Sequence, residues 1–147
     1  MHVQDVLIPK LWRYISENNP DLLATLQQEG ITTTYFLEKA RIAESLARQL
    51  QAQCKPTYFI EEQCLNAMTS DLRPSRFNYL KAILEEEFES DYQRLSNSNL
   101  LTYEVINLIE FCQIVFEEFS FSEATEDSLP LRNAIIGNIQ MYWDSTK

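Results

Sequence analysis

The chain has 147 residues, of which 45% are hydrophobic and 23% are charged, and its formal net charge is −10. This composition is too apolar for a disordered chain, and the length suits one globular domain over residues 1–147. The only glycines are Gly30 and Gly137, which disfavours hairpin-rich β-structure and excludes a glycine-rich loop for nucleotide phosphates. We therefore expect an all-α, single-domain bundle.

The negative charge is concentrated in the second half of the chain. Residues 1–74 contain seven Lys/Arg and nine Asp/Glu, whereas residues 75–147 contain five and thirteen. An acidic surface repels nucleic-acid backbones and anionic membranes, so we expect no direct binding to either. Two interpretations stay open: the charge attracts a basic partner protein, or it only keeps the protein soluble.

Apolar residues recur at helical spacing in the first half of the chain, without strand-like alternation. The predicted elements are a helix over about 5–17, a short turn from Asp21 to Gly30, a helix from the threonines at 32–34 to about Gln53, and a helix after Pro56. Because proline disrupts a helix interior, Pro9 is expected close to the start of the first helix. Asp21 and the threonines are predicted to cap the helices that they precede.

The second half is also predicted to be helical. The first element is a helix capped by Ser75, with Phe77, Leu80, Leu84 and Phe88 facing inward. A loop at 96–99 follows, and then a helix that runs from this loop to about Phe119. An irregular acidic segment at 120–127 leads to a last helix, which is capped by Ser128. The helix that ends near Phe119 is apolar on most sides, which is typical of the central helix of a bundle. About five long helices and a short helical turn are expected in total.

Three segments contain motifs in a recognisable order: LWRYISENNP at 11–20, residues 67–88, and IGNIQMYW at 136–143. They resemble the SYL-x-E-x-x-P opening, the A-x-x-x-L-x-x-x-L and FSKYDTL-x-x-IL-x-x-EF regions, and the TG-x-I-x-x-YL end of a family of small uncharacterised all-helical proteins, a domain of unknown function, from Bacteroides-type bacteria. Residues 67–72 match the second of these motifs and residues 74–88 the third. The resemblance implies an all-helical fold and, for some members, an association with mobile genetic elements. It implies no activity and no catalytic residue. The family's acidic pair before the last helix is matched only loosely, by Glu123, Glu126 and Asp127.

The densest charge lies at residues 85–91. Helical spacing points Glu86 outward, sets Glu85 and Glu89 at the side, and brings Glu87 nearer the apolar stripe. A solvated helix face explains this cluster. Alternatively, Glu85, Glu86 and Glu89 form a partner-binding surface.

Glu87 is the residue on which an enzymatic hypothesis would depend. Its position predicts an ion pair with Arg76 or another cation at the rim of the core. Two carboxylates in different environments can perform acid–base chemistry, so an enzyme with an unrecognised carboxylate site is an alternative. Such a pair needs a cleft and an oriented partner, and no sequence pattern indicates either.

No catalytic residue, metal site or cofactor is predicted. Cys54, Cys64 and Cys112 have no CxxC spacing and the only histidine is His2, so the ligands of a zinc site are lacking. Cys112 lies in the middle of an apolar stripe and is expected to be a buried, inert thiol. Free thiols and the lack of a secretory signal or a membrane-spanning apolar run predict a cytoplasmic protein.

The leading functional hypothesis is therefore a non-enzymatic interaction or accessory protein whose acidic C-terminal half binds a basic partner. An acidic nucleic-acid mimic, which would occupy the groove of a DNA-binding protein, is the first alternative. The aromatic residues 111, 116, 119, 121, 142 and 143 fit either core packing or an exposed apolar groove. A homodimer is also compatible with the sequence.

Overall fold

The structure, a computed structural model, describes residues 3–145 and confirms an all-α fold, with no strand in that range. His2 lies outside the described residues. The helices are α1 Val3–Asn18, α2 Pro20–Glu29, α3 Thr32–Ala52, α4 Thr57–Thr69, α5 Arg76–Glu87, α6 Glu89–Asn97, α7 Leu101–Phe111, α8 Gln113–Glu118 and α9 Leu129–Ser145. A 3-10 turn at Ser70–Leu72 follows α4. The described chain thus has more and shorter helices than the five long ones predicted.

The chain divides into two compact units, Met1–Arg73 and Pro74–Lys147, called here the N-terminal and the C-terminal unit. Each unit has its own cluster of buried apolar side chains. The single domain over residues 1–147 therefore stays a prediction.

The N-terminal unit has its core between α1, α3 and α4. The buried side chains follow one side of each helix: Leu7, Leu11 and Ile15 of α1, Phe36, Ala40, Ala43 and Ala47 of α3, and Ile60, Cys64 and Met68 of α4. Three alanines on the inner side of α3 allow neighbouring helices to approach closely. The Sγ of Cys64 reaches the carbonyl oxygen of Ala43 at 3.6 Å, which shows how closely α3 and α4 pack.

Pro9 lies inside α1, not near its start, so the predicted position was wrong. The helix begins at Val3, and more than a turn precedes the proline. Because proline has no backbone N–H, the carbonyl of Asp5 has no helical donor at this point. The burial of Leu7 and Leu11 on either side of Pro9 compensates for that loss.

The starts of α2 and α3 also differ from the prediction. Asn19 is the N-cap residue of α2 and Pro20 occupies its first position, where a missing N–H costs least. Asp21, expected to be the cap, therefore lies inside the first turn. The threonines at 32–34 likewise lie within the first turn of α3. Gly30 ends α2 in the left-handed conformation, with φ at 70°, as its position predicted.

The C-terminal unit has its core between α5, α7, α8 and α9. Its fully buried side chains are Leu80, Ile83 and Leu84 of α5, Val105 and Leu108 of α7, Cys112, Phe116 of α8, and Leu131, Ile135 and Ile139 of α9. Both predicted caps are present. The Oγ of Ser75 accepts a hydrogen bond from the Asn78 backbone N at 3.0 Å, and the Oγ of Ser128 accepts one from the Leu131 backbone N at 3.3 Å. Phe77 is buried, whereas Phe88 is only half-buried.

Two features of the C-terminal unit were not predicted. Helix α6 covers residues 89–97, so Ser96 and Asn97 are helical and the expected loop is shorter. The helix predicted to reach Phe119 is interrupted at Cys112, which separates α7 from α8. Residues 109–116 are mostly aromatic and β-branched, and such residues are weaker helix formers. These two helices are exposed along one side, so they are not the enclosed centre of a bundle.

Candidate functional site

The carboxylates that were singled out in the sequence lie at the junction of α5 and α6. Glu85, Glu86 and Glu87 occupy the last turn of α5, and Glu89 opens α6. All four are exposed, so a partner can reach them. The side chain of Glu87 is 47% exposed and that of Glu86 63%, which agrees with the predicted position of Glu87 nearer the apolar stripe.

Arg132 of α9 binds two of these carboxylates. Its Nη2 donates to Glu86 Oε2 at 2.8 Å and to Glu87 Oε1 at 3.1 Å. The hydrogen bond to Glu87, with a smaller contribution from Glu86, raises the pKa of the Arg132 guanidinium, and burial opposes the rise. The prediction that Glu87 pairs with a cation is confirmed, but Arg76 is not that cation. Its guanidinium instead lies 4.9 Å from the ring centre of Phe116.

A second acidic region covers α7, α8 and the segment that follows them, of which only the segment at 120–127 was predicted to be acidic. The chain has no Lys or Arg from residue 95 to residue 131. The same stretch contains seven carboxylates: Glu104, Glu110, Glu117, Glu118, Glu123, Glu126 and Asp127. No salt bridge within the described part of the chain involves any of them. Counting the basic residues over 95–131 would have revealed this region.

Neutral groups hold two of these carboxylates in place. The hydroxyl of Tyr142 donates to Glu104 Oε2 at 3.0 Å, and Gln113 Nε2 donates to Glu117 Oε1 at 3.1 Å. Burial, together with the Glu104 carboxylate, raises the pKa of the Tyr142 hydroxyl. These hydrogen bonds orient the two carboxylates but do not neutralise them, because both donors are uncharged.

Large apolar side chains are exposed on the same two helices. The exposed fractions are 63% for Tyr103, 37% for Phe111 and 67% for Ile114. The ring of Phe111 packs against that of Tyr142, with centroids 5.4 Å apart. We call α7 and α8, with Tyr103, Phe111, Ile114 and the flanking carboxylates Glu104, Glu110, Glu117 and Glu118, the acidic–apolar face.

Shallow cavities, two of which follow, open among the described residues of the C-terminal unit. One, of about 350 Å³, is lined by Pro74, Ser75, Asn78, Tyr79, Phe121, Glu126 and Asp127. The other, of about 300 Å³, is lined by Phe88, Asp91, Gln140, Trp143 and Asp144. Glu87 is exposed and lines neither of these two cavities. Among the described residues, no group of three or more His, Cys, Asp or Glu is arranged to hold a metal ion.

The three cysteines are free thiols in different environments. Cys112 is fully buried, as its position in the apolar stripe predicted, and burial raises the pKa of its thiol to about 11 against a weaker opposing hydrogen bond from Asn138. Burial also raises the pKa of Cys64. Cys54 is exposed and has a left-handed φ of 57°. Because the thiolate is the reactive form, the two buried thiols are inert in the folded chain.

Within residues 3–145, no helix combines the length and the apolar character needed to cross a membrane. Comparisons with family models, curated proteins and solved structures gave no match to this chain.

Proposed function

We propose that this protein is a non-enzymatic interaction or accessory protein of the cytoplasm, whose acidic C-terminal unit binds a basic partner protein. One observation supports this function above all others. From residue 95 to residue 131 the chain has seven carboxylates and no basic residue. Those carboxylates have no counter-cation among the described residues, so their charge is available to a partner.

Uncompensated charge on one surface acts at a distance. It steers an oppositely charged protein toward that surface and raises the association rate, and salt screens the effect over a Debye length of about 10 Å at 0.1 M. The proposed interaction should therefore weaken strongly as salt is added. The same charge repels acidic proteins, so the surface would select basic partners over acidic ones.

Glu85, Glu86 and Glu89 are further exposed carboxylates of the same unit, on α5 and α6. Glu85 and Glu89 are exposed and form no salt bridge within the described chain. Glu86 shares Arg132 with Glu87, so part of its charge is already neutralised. We therefore expect Glu85 and Glu89 to contribute more to binding than Glu86.

Affinity capture from native lysate at low and high salt, followed by mass spectrometry, would identify the partner. The binding of the purified partner to the chain is then measured by titration calorimetry. The test variant is Glu85→Lys/Glu86→Lys/Glu89→Lys. A matched control reverses three exposed carboxylates of the N-terminal unit, Glu29→Lys/Glu38→Lys/Glu62→Lys, which changes the net charge equally. We expect the test variant to bind at least about tenfold more weakly and the control to bind nearly as wild type. Unchanged binding by the test variant would exclude Glu85, Glu86 and Glu89 as the binding surface, and equal losses in both variants would leave only non-specific charge.

A nucleic-acid mimic is the second candidate, because a run of carboxylates without cations resembles the charge of a phosphate backbone. Its partner would be a DNA-binding protein. Duplex DNA should then displace the chain from the purified partner, and the affinity should fall steeply with salt. A ternary complex of the chain, the partner and DNA would exclude mimicry and leave the accessory function intact.

A further inference from the structure

We infer that the basic partner docks as an amphipathic helix on the acidic–apolar face, with its apolar side against Tyr103, Phe111 and Ile114 and its Lys/Arg side chains beside the flanking carboxylates. This inference rests on the proposed function and specifies the partner's chemistry and the surface that it meets. It also places the main contact on α7 and α8, outside the Glu85–Glu89 cluster.

The three apolar side chains lie on one side of the α7–α8 segment. Tyr103, Phe111 and Ile114 are separated by eight and three residues, which are helical repeats. The backbone N of Cys112 donates to Leu108 O at 2.8 Å, and that of Phe116 to Cys112 O at 3.1 Å. Cys112 therefore joins the two helices, because its N–H bonds to the last turn of α7 and its carbonyl accepts from the first turn of α8. The opposite side of the segment is the buried one, so the exposed residues are not part of the core.

Phe111 is partly immobilised before any partner binds. Its ring packs on Tyr142, and the Tyr142 hydroxyl donates to Glu104. An aromatic side chain that is already held in position loses little conformational entropy on binding. Aromatic anchors of this kind contribute much of the free energy at protein interfaces.

The charge around this face selects one kind of occupant. Glu110, Glu117 and Glu118 are exposed on the same two helices, and no Lys or Arg lies between residues 95 and 131. A second copy of the chain would bring like charges together, and nucleic acids and anionic membranes would be repelled as well. The described residues also include no strand and hence no sheet edge for strand addition. A basic helix with one apolar side satisfies both the charge and the exposed apolar side chains.

Two synthetic peptides test this inference directly. One is a helical leucine–lysine peptide with all its leucines on one side, and the other is a scrambled peptide of the same composition without an apolar side. Binding to the full chain is measured by fluorescence anisotropy of labelled peptide. We expect the amphipathic peptide to bind at least about tenfold more tightly, because only this peptide can bury its apolar side chains on the face.

Paired variants locate the contact. Tyr103→Ser/Ile114→Ser removes two apolar side chains from the face. Tyr58→Ser/Ile42→Ser makes the same chemical change in the N-terminal unit, where the exposed fractions are 73% and 62%. We expect the first pair to weaken binding of the amphipathic peptide at least about tenfold and the second less than about twofold. Circular dichroism verifies that both variants are folded.

The possible outcomes separate the inference from the proposed function. Equal, salt-sensitive binding of both peptides would overturn the docking mode and leave the acidic partner-binding function standing. Equal weakening by the two variant pairs would also overturn it. If neither peptide binds at low salt, the proposed function itself fails. A dimer in sedimentation that dissociates only in Tyr103→Ser/Ile114→Ser would assign the face to a second copy and overturn the inference.

Discussion

The N-terminal and C-terminal units use charge differently. In the N-terminal unit the counts of seven Lys/Arg and nine Asp/Glu nearly balance, and ion pairs such as Lys10–Glu61 and Lys39–Asp71 join separate elements. Among the described residues of the C-terminal unit, Arg132 is the cation that joins separate helices, and most carboxylates have no counter-cation. Two helical units of one chain can therefore differ in how far their carboxylates are neutralised by internal ion pairs.

The two cores differ as well. The inner side of α3 presents Ala40, Ala43 and Ala47, so the N-terminal unit relies on the close approach of helix backbones. The C-terminal unit relies on aromatic rings, because Phe116 lies 4.9 Å from Phe121 between ring centroids and both rings contact Tyr79. Truncating a buried side chain should therefore destabilise the C-terminal unit most. Enlarging a buried side chain should destabilise the N-terminal unit most.

The largest effect is expected for Phe116→Ala. The ring is fully buried and contacts two other rings and the Arg76 guanidinium, so its removal leaves a cavity. We expect the free energy of unfolding to fall by about 3–5 kcal/mol, measured by urea denaturation. The control is Phe59→Ala, which removes a half-buried ring of the N-terminal unit and should lower the free energy of unfolding by less. Equal losses would contradict the contrast between the cores.

Ala43→Leu should have the next largest effect. Ala43 is fully buried where α3 packs against Cys64 of α4, and a larger side chain would push the helices apart. The expected loss is about 1–3 kcal/mol in the same denaturation experiment. Ala24→Leu, on the exposed side of α2, should change stability by less than about 0.5 kcal/mol. A neutral Ala43→Leu would show that the small residue does not determine the packing.

A smaller effect, with the opposite sign, is expected for one tyrosine in each unit. The hydroxyls of Tyr35 and Tyr79 are buried without a hydrogen-bond partner in the described chain. Removing an unpartnered hydroxyl also removes its desolvation cost, so Tyr35→Phe and Tyr79→Phe should each be neutral or stabilising by up to about 1 kcal/mol. Tyr142→Phe removes the hydrogen bond to Glu104 and should instead destabilise by about 0.5–1.5 kcal/mol. Thermal and urea unfolding would distinguish these signs.

The smallest effect is a difference in alkaline stability that involves the N-terminal unit. Burial, and then the charge of Asp71, raises the pKa of Tyr35 from 10.0 to about 12. The folded state therefore holds the Tyr35 proton more tightly than the unfolded state does. This difference contributes to the free energy of unfolding below about pH 10, and the contribution is lost as the pH rises from about 10 to about 12. Tyr35→Phe should unfold with a shallower pH dependence over this range. Parallel stability curves for the variant and the wild type would contradict this prediction.

Local signals in the sequence predicted the fold class and several helix ends correctly. Ser75, Ser128 and Gly30 act through neighbouring backbone groups, so their roles can be read from a few residues. Helix α6 was missed because its sequence is rich in serine and asparagine, which favour turns, and only Leu95 among its side chains is buried. The stability of α6 comes from tertiary packing, which a local pattern does not contain.

The candidate site was predictable to a similar degree. Helical spacing placed Glu85, Glu86 and Glu89 correctly on the surface. The cation that binds Glu87 is 45 residues away in the chain, so its identity depends on how α5 and α9 pack. Tyr103 and Ile114 were assigned by pattern to a central helix, because periodicity identifies an apolar side but does not show whether another helix covers it.

The positions of the three thiols make the cooperativity of this chain measurable without any added label site. Cys64 lies in the core of the N-terminal unit and Cys112 in that of the C-terminal unit, whereas Cys54 is open to solvent. A thiol reagent should modify Cys54 at once and each buried cysteine only when its surroundings open. Equal modification rates at Cys64 and Cys112 would mean that both halves open in one event. Unequal rates would mean that one half can exchange with its unfolded form while the other half stays intact.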